Sequence, residues 1–199
     1  MSDEILLYNT EDKIKIEKTE EKPKKIFNVY SEHHPLLHQE LAPFDFQNPP
    51  VNPNEFASTL VETCKAYNGI GLSANQCGFP YRVFVMGAGD EYVAHYNPKV
   101  INAYGESHMD EGCLSFPFLF LKITRPERID VEYQDFNGVT RTATYNGISA
   151  RCFLHELDHM NGIVYTMRAK PLALKTGKKK QLKLIEQLKK HYANIPTIR

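Results

Sequence analysis

Two histidines four residues apart lie in a segment that is apolar on almost every side, FLHELDHMNG at residues 153–162. On a helix this spacing places His155 and His159 one turn apart on the same face, with Glu156 beside the first. The apolar neighbours predict a helix that is buried on most sides. Because buried polar groups need partners, the pattern favours two metal ligands over two ordinary histidines beside a helix salt bridge.

Length and composition favour a single domain. The 199 residues with 42% hydrophobic content suffice for one core. Lys and Arg number 24, as do Asp and Glu, so net charge gives no reason to expect a nucleic-acid or membrane partner. No apolar run approaches the roughly 20 residues of a membrane span, and the N-terminus lacks signal or transit features. We therefore predict a cytoplasmic protein without a membrane partner, with its four cysteines as thiols or ligands.

Residues 52–69 carry the signals of a capped amphipathic helix. Asn52 suits the N-cap, Pro53 the first helical position, and Glu55 lies three residues after the cap. Gly69 is predicted to end the helix. The predicted buried stripe consists of Phe56, Leu60, Cys64 and Tyr67.

The other elements predict an α+β fold class, with antiparallel strands around a central metal-binding helix and a C-terminal helix. Residues 81–86 and 92–97 read as strands, and two alternating segments around FNG form a predicted β-hairpin. The metal-binding helix is predicted to begin near Ser149 and to end before Gly162. The C-terminal helix is predicted at about residues 177–192, with one apolar side formed by Leu182, Ile185, Leu188 and Tyr192.

A catalytic metal site needs a third protein ligand and one position open to water. Tyr165 stands where one class of metalloprotease has a third histidine, which disfavours that class. Glu186 is available on a later helix, but its lysine neighbours favour an exposed ion pair. Cysteine is a third possible source: Cys113 has Gly112 beside it, which lets the backbone pass close to a site.

Three motifs occur together in this chain: GIGLSANQ at 69–76, EGCLS at 111–115 and HELDH at 155–159. In this order and spacing they resemble the signature motifs of the peptide deformylase family. The resemblance implies that Cys113, His155 and His159 are the ligands of one divalent metal ion. It implies Fe²⁺ as the native ion, with Zn²⁺, Ni²⁺ or Co²⁺ as substitutes, whereas residue types alone do not separate iron from zinc.

The sequence departs from the family at two motif positions. Ser73 stands where the family usually has alanine, and Leu154 where it usually has glutamine. Neither change removes a predicted ligand or a predicted catalytic side chain.

The resemblance also implies a reaction, removal of the N-formyl group from the initiator methionine of nascent polypeptides. Glu156 would act as general base and then acid toward a metal-activated water. The side-chain amide of Gln76 and the backbone N–H of Leu114 would stabilise the developing oxyanion. The substrate main chain would pair with Ile70, Gly71 and Gly112 as an added strand. The alternatives are a zinc peptidase with another third ligand, such as Glu186, and an inactive ribosome-associated homologue.

Two further contacts are predicted around the site. Cys152 and Leu114 are candidates for the pocket of the methionine side chain. A buried carboxylate requires a cation, so Glu111 paired with Arg125 is a plausible support for the histidines.

On this interpretation the chain has three regions. Residues 1–25 form a mobile N-terminal tail, in which the short IKI segment can add an edge strand. Residues 26–175 form the catalytic deformylase domain. Residues 176–199 form a basic C-terminal helix and tail, for which the resemblance implies docking to ribosomal RNA.

Overall fold

The computed structural model describes residues 25–193, so the predicted tail up to residue 24 and its IKI segment lie outside the described residues. Within residues 25–193, seven strands form two antiparallel sheets. Within the described range, no helix has the length and apolar content needed to cross a bilayer. The strands are β1 (Gly71–Ser73), β2 (Val83–Ala88), β3 (Glu91–Tyr104), β4 (Ser107–Cys113), β5 (Phe116–Arg125), β6 (Arg128–Gln134) and β7 (Thr140–Asn146), and the helices are α1 (Pro53–Ala66), α2 (Gly147–Met160) and α3 (Pro171–Ala193).

The larger sheet has the order β1-β2-β3-β6-β7, and β4 and β5 form a separate two-stranded sheet. Strands β6 and β7 pair from Arg128 opposite Asn146 to Gln134 opposite Thr140, which confirms the predicted hairpin. Among the described strands, β1 pairs with β2 alone and β4 with β5 alone. Each therefore has a second edge without a strand partner among the described strands, and both β1 and β4 contribute residues to the wall of one groove.

The predicted N-terminus of α1 is confirmed, since the Asn52 side chain accepts a hydrogen bond from the Glu55 N–H at 3.1 Å. The helix ends earlier than Gly69, because Asn68 takes the left-handed conformation with φ 56°. The N–H groups of Asn68 and Gly69 then bond carbonyls of the last turn, as in a Schellman motif. Tyr67 lies beyond the last helical residue, so its predicted burial is wrong: it is 41% exposed.

Helix α2 is central, and most of its side chains are buried, as predicted. It packs against β1, β2, β6 and β7. Its apolar residues Phe153 and Met160 join Phe84, Ile129 and Val131 in one core cluster. The helix begins at Gly147, two residues before the predicted start.

Helix α3 begins at Pro171, six residues earlier than predicted, and packs against β5. The contact passes through Gly177, where an added Cβ would lie 2.5 Å from the Leu121 side chain. Gln181, one turn further, donates to the Pro117 carbonyl at 2.8 Å. Leu182 belongs to the predicted apolar side of this helix, but it is 62% exposed.

The predicted α+β fold class is confirmed. Antiparallel strands surround the central helix α2, and a further helix follows at the C-terminal side.

Candidate metal centre

Three side chains from two distant parts of the chain converge in the structure. Cys113 at the end of β4 and His155 and His159 on α2 offer ligand atoms that all lie within 4.8 Å of one another. The Cys113 Sγ and His159 Nε2 atoms are 3.4 Å apart. Tetrahedral coordination with metal–ligand bonds of about 2.0–2.3 Å places ligand atoms roughly 3.3–3.7 Å apart, and the separation of Cys113 Sγ and His159 Nε2 lies in this range.

The hydrogen bond between His155 and Glu111 uses Nδ1 of the imidazole and leaves Nε2 for a metal ion. Nδ1 of His155 lies 3.1 Å from Oε2 of Glu111. An ionised carboxylate only accepts, so Nδ1 carries the proton and donates it. The lone pair of Nε2 is then available to an ion, as in many protein metal sites.

The charges around His155 favour a cation at this position. Burial alone would lower the pKa of His155, but hydrogen bonds to Cys113 and Glu111 outweigh it and raise the pKa to about 10. Burial alone would raise the pKa of Glu111, but hydrogen bonds from His155 and Arg125 lower it to about 2. The site therefore stabilises positive charge, which a divalent ion can supply in place of the His155 proton.

A buried ion-pair network supports the ligands, and the predicted pairing of Glu111 with Arg125 is confirmed. Arg125 donates to both oxygens of Glu111, from Nε at 2.6 Å and Nη2 at 2.9 Å, and from Nη1 to Asp158 at 2.8 Å. Arg151 also donates to Glu111 at 2.6 Å, and Arg168 pairs with Asp158. With two arginines and a histidine on one carboxylate, the buried charges are compensated.

Side chains from other segments donate hydrogen bonds to the last carbonyl groups of α2. Asn75 donates from Nδ2 to the His159 carbonyl at 2.7 Å and to the Leu36 carbonyl at 2.9 Å. Arg82 donates to the Met160 carbonyl at 3.1 Å. These tertiary donors satisfy carbonyls that the helix cannot pair internally and hold the end that carries His159.

Strand β1 and the short 3-10 helix after it, Ala74–Cys77, place Gln76 beside the cluster. The Gln76 Oε1 atom accepts from the Ser73 N–H at 3.0 Å, and Ser73 Oγ lies at the same distance. Because a backbone N–H can only donate, the amide oxygen faces Ser73 and Nε2 faces the site. Nε2 lies 3.3 Å from Cys113 Sγ and 3.2 Å from Ser115 Oγ.

Glu156 lies next to the ligands and is almost fully buried. Its Oε2 atom has no hydrogen-bond partner among the described residues. Burial is the main cause that raises its pKa to about 7, and the His155 charge opposes this shift. A carboxylate with one open oxygen and a pKa near neutrality suits proton transfer.

The cluster opens into a groove of about 630 Å³. Two glycines in its wall let neighbouring side chains pack directly against the backbone. A Cβ on Gly71 would lie 2.6 Å from both Cys152 Sγ and Glu156 Oε1, and a Cβ on Gly112 would lie 2.7 Å from the Phe120 ring. The predicted site residues in its wall are Ile70, Gly71, Gln76, Gly112, Cys113, Leu114, Cys152, His155 and Glu156.

The structure thus brings the predicted side chains to one place, while Glu186 is exposed on α3 and outside the cluster. Several contributors were not predicted, namely Asn75, Ser115, Arg168, Phe118 and Phe120. Asn75 and Ser115 lie inside the GIGLSANQ and EGCLS motifs, and this is the one signal that could have found them. The others act through contacts between segments that the sequence does not reveal.

In this α+β fold, two histidines on a buried helix meet a cysteine from the end of β4, beside a glutamate oxygen that has no partner among the described residues. This arrangement defines a metallohydrolase class of site. The family profile of polypeptide deformylase matches residues 26–175. This chain belongs to the polypeptide deformylase family, and it is therefore an enzyme of protein biosynthesis that acts on formylated nascent peptides.

Individual relatives agree with the family match. The peptide deformylase of Thermotoga neapolitana is 42% identical over 113 residues, 56% of this chain and 69% of the relative. That of Chromobacterium violaceum is 38% identical over 130 residues, 62% of this chain and 78% of the relative.

Solved structures show the same fold. The crystal structure of the Thermotoga maritima peptide deformylase has a TM-score of 0.69 and 34% identity, covering 73% of this chain and 99% of that one. A Met-Ala-Ser-bound peptide deformylase from Acinetobacter baumannii has a TM-score of 0.69 and 25% identity, with the same two coverages.

Proposed function

We propose that this enzyme hydrolyses the N-formyl group from the initiator methionine of nascent polypeptides, with a metal ion held by Cys113, His155 and His159. The observation that carries the proposal is the convergence of these ligands beside Glu156, whose Oε2 has no partner among the described residues. The sulfur and two imidazole nitrogens suit Fe²⁺, and Zn²⁺, Ni²⁺ or Co²⁺ are substitutes. When bound, a divalent ion would lower the pKa of a water molecule toward about 7 and polarise a carbonyl oxygen.

Glu156 is the proton carrier in this proposal. Its open Oε2 atom accepts the proton of the attacking water and delivers it to the amine that leaves the formyl carbon. Burial strengthens this role, because a carboxylate poorly solvated in its ionised form takes up a proton readily.

Gln76 and Leu114 stabilise the negative charge that develops on the formyl oxygen. The Ser73 N–H holds Gln76 Oε1, so the amide N–H₂ group points to the cluster. Leu114 follows the ligand Cys113 directly, and its backbone N–H supplies the second donor. One such donor typically contributes about 3 kcal/mol to transition-state stabilisation.

The substrate main chain lies along the edges of β1 and β4. The Ile70 carbonyl accepts from the Gly87 N–H at 2.9 Å, and we assign the Ile70 N–H to the substrate. Gly71 and Gly112 complete the two edges, and an extended peptide between them would pair as an added strand. Cys152 and Leu114 in the groove wall form the pocket of the methionine side chain.

The decisive experiment is release of formate from formyl-Met-Ala-Ser by anaerobically prepared enzyme, with acetyl-Met-Ala-Ser as the control. The Met-Ala-Ser peptide bound by the Acinetobacter baumannii relative supports this choice. We expect turnover of the formyl peptide only, because an acetyl methyl group crowds the metal and the oxyanion donors. Absence of formate from protein loaded with Fe²⁺, Ni²⁺ or Zn²⁺ would refute the proposal.

We also propose that α3 docks the enzyme on ribosomal RNA, which agrees with a cytoplasmic location. Its lysines 178, 179, 180 and 183 are exposed. Replacing Lys178, Lys179 and Lys183 by Gln should reduce co-sedimentation with ribosomes in low salt, because phosphate contacts are electrostatic.

Charge replacement is a better test than truncation of α3. Truncation would uncover the β5 surface that packs on Gly177. The matched control replaces the same three lysines by Arg and should retain co-sedimentation. Equal sedimentation of the Gln and Arg variants would exclude docking by these lysines.

A further inference from the structure

His159 differs from the other histidine of the cluster in how its ring is held. His155 donates from Nδ1 to Glu111, but Nδ1 of His159 has no hydrogen-bond partner among the described residues, although the side chain is buried. Histidines that bind a metal usually donate their second ring N–H to an oxygen atom, which fixes the orientation of the ring. The position of the His159 ring therefore depends on its backbone and on packing.

The His159 backbone lies in the last turn of α2, where carbonyl groups lack the donors of a following turn. Its carbonyl accepts from Asn75 Nδ2 at 2.7 Å and, at a longer 3.3 Å, from the Gly162 N–H. Asn75 Nδ2 also donates to the Leu36 carbonyl at 2.9 Å, and the Asn75 side chain is fully buried. One buried amide thus joins the end of the ligand helix to two other segments of the chain.

The orientation of the Asn75 amide follows from its partners. Carbonyl oxygens only accept, so Nδ2 faces His159 and Leu36, and Oδ1 faces Ser73 Oγ at 2.9 Å. Since Oδ1 also only accepts, the Ser73 hydroxyl is the donor in this contact. Gln76 Oε1 competes for the same proton at 3.0 Å, but it also accepts from the Ser73 N–H. The alanine that is usual in the family at this position would leave Asn75 Oδ1 without this donor.

We propose that Asn75 is the positioning residue of the metal ligand His159, and that Ser73 acts through Asn75 by fixing its amide. The inference rests on the metal site of the proposed function. Through the backbone carbonyl, Asn75 supplies the constraint that Glu111 supplies to His155 through the ring. Because a small displacement of a ligand weakens its bond to the ion, metal affinity and kcat should both depend on this buried amide.

The first test replaces Asn75 by Leu, which has a similar volume but no hydrogen-bond donor. Affinity for Co²⁺, measured by competition with a chelator, should fall about 10- to 100-fold, the usual effect of removing a group that orients a ligand. The absorption bands of the Co²⁺ protein should shift, because they report the geometry around the ion. With Co²⁺ at saturation, kcat for formyl-Met-Ala-Ser should fall about tenfold while KM stays within about twofold, since Asn75 is outside the groove wall.

Thr63→Val is the matched control for this variant. Thr63 is buried, and its hydroxyl accepts from the Phe27 N–H at 2.9 Å, so the change also removes a hydrogen bond between distant segments. Thr63 lies outside both the ligand cluster and the groove wall. Both changes should lower the melting temperature of the metal-free protein, because each removes a buried hydrogen bond. Co²⁺ affinity and the absorption spectrum should change in Asn75→Leu alone.

Ser73→Ala tests the link between Ser73 and Asn75, and it is the milder change if Asn75→Leu does not fold. It removes one of the three hydrogen bonds that hold the amide, so Co²⁺ affinity should fall about threefold. Combined with Asn75→Leu it should cause no further loss, because Ser73 acts on His159 through Asn75. Additive losses in the double variant would overturn this link.

Weaker Co²⁺ binding by Asn75→Leu and Ser73→Ala, with the affinity of Thr63→Val unchanged, would establish Asn75 as the positioning residue. Wild-type affinity in Asn75→Leu or, if that variant does not fold, in Ser73→Ala would overturn the inference, and so would equal losses in Asn75→Leu and Thr63→Val. In each of these cases Co²⁺ binding by the wild type still supports the proposed metal site. A wild-type protein that binds no Co²⁺ would instead refute the metal site itself.

Discussion

Replacing Glu156 by Gln should lower kcat for formyl-Met-Ala-Ser by about 10²- to 10⁴-fold, the usual contribution of a general base and acid. The amide has nearly the same shape but cannot take up the proton of the attacking water. Metal content should not change, because Glu156 is not among the clustered ligand atoms. Formate release, and metal content by mass spectrometry, are the measurements.

The melting temperature of Glu156→Gln should distinguish loss of the proton carrier from damage to the fold. Burial opposes the charge on Glu156, so an uncharged amide should leave the melting temperature equal or higher at pH 8. The matched control is Glu132→Gln, because Glu132 lies on β6 and pairs with Lys99 outside the groove. Glu156→Gln activity within threefold of the wild type would show that another group carries the proton.

The Cys113→Ala protein should lose its metal ion on gel filtration or dialysis. Two histidines remain, but the removed thiolate is one of the three proposed ligands that the described residues bring together. Deformylation should disappear with the metal. Cys113 is a partly buried side chain at the end of β4, so the Cys113→Ala protein should still fold. Circular dichroism measures whether it does.

A second cysteine provides the control for this variant. Cys77 is buried, and it is a free thiol outside the cluster, so Cys77→Ala should retain metal and activity. Glu186→Gln should also retain metal, because Glu186 is exposed on α3. Metal retained by Cys113→Ala would favour a peptidase-like site with another third ligand.

Local patterns in the sequence predicted much of the fold. The cap at Asn52, the hairpin around FNG and the buried histidine helix depend on residues within one or two turns of each other, and all three are present. Element ends were less well predicted. Asn68 rather than Gly69 ends α1, and α3 starts at Pro171, because helix ends depend on small differences between competing local conformations.

The sequence by itself determined that His155, Glu156 and His159 lie on one buried helical face, since helix geometry and apolar periodicity are local properties. The sequence named Cys113 and Glu111 as candidates. Only the tertiary structure decided that Cys113, 46 residues before His159, meets the histidines, and that Glu111 rather than another carboxylate holds His155. Ion pairs and close contacts between distant segments depend on how strands and helices pack, and pairing partners are not encoded in the spacing of residues along the chain.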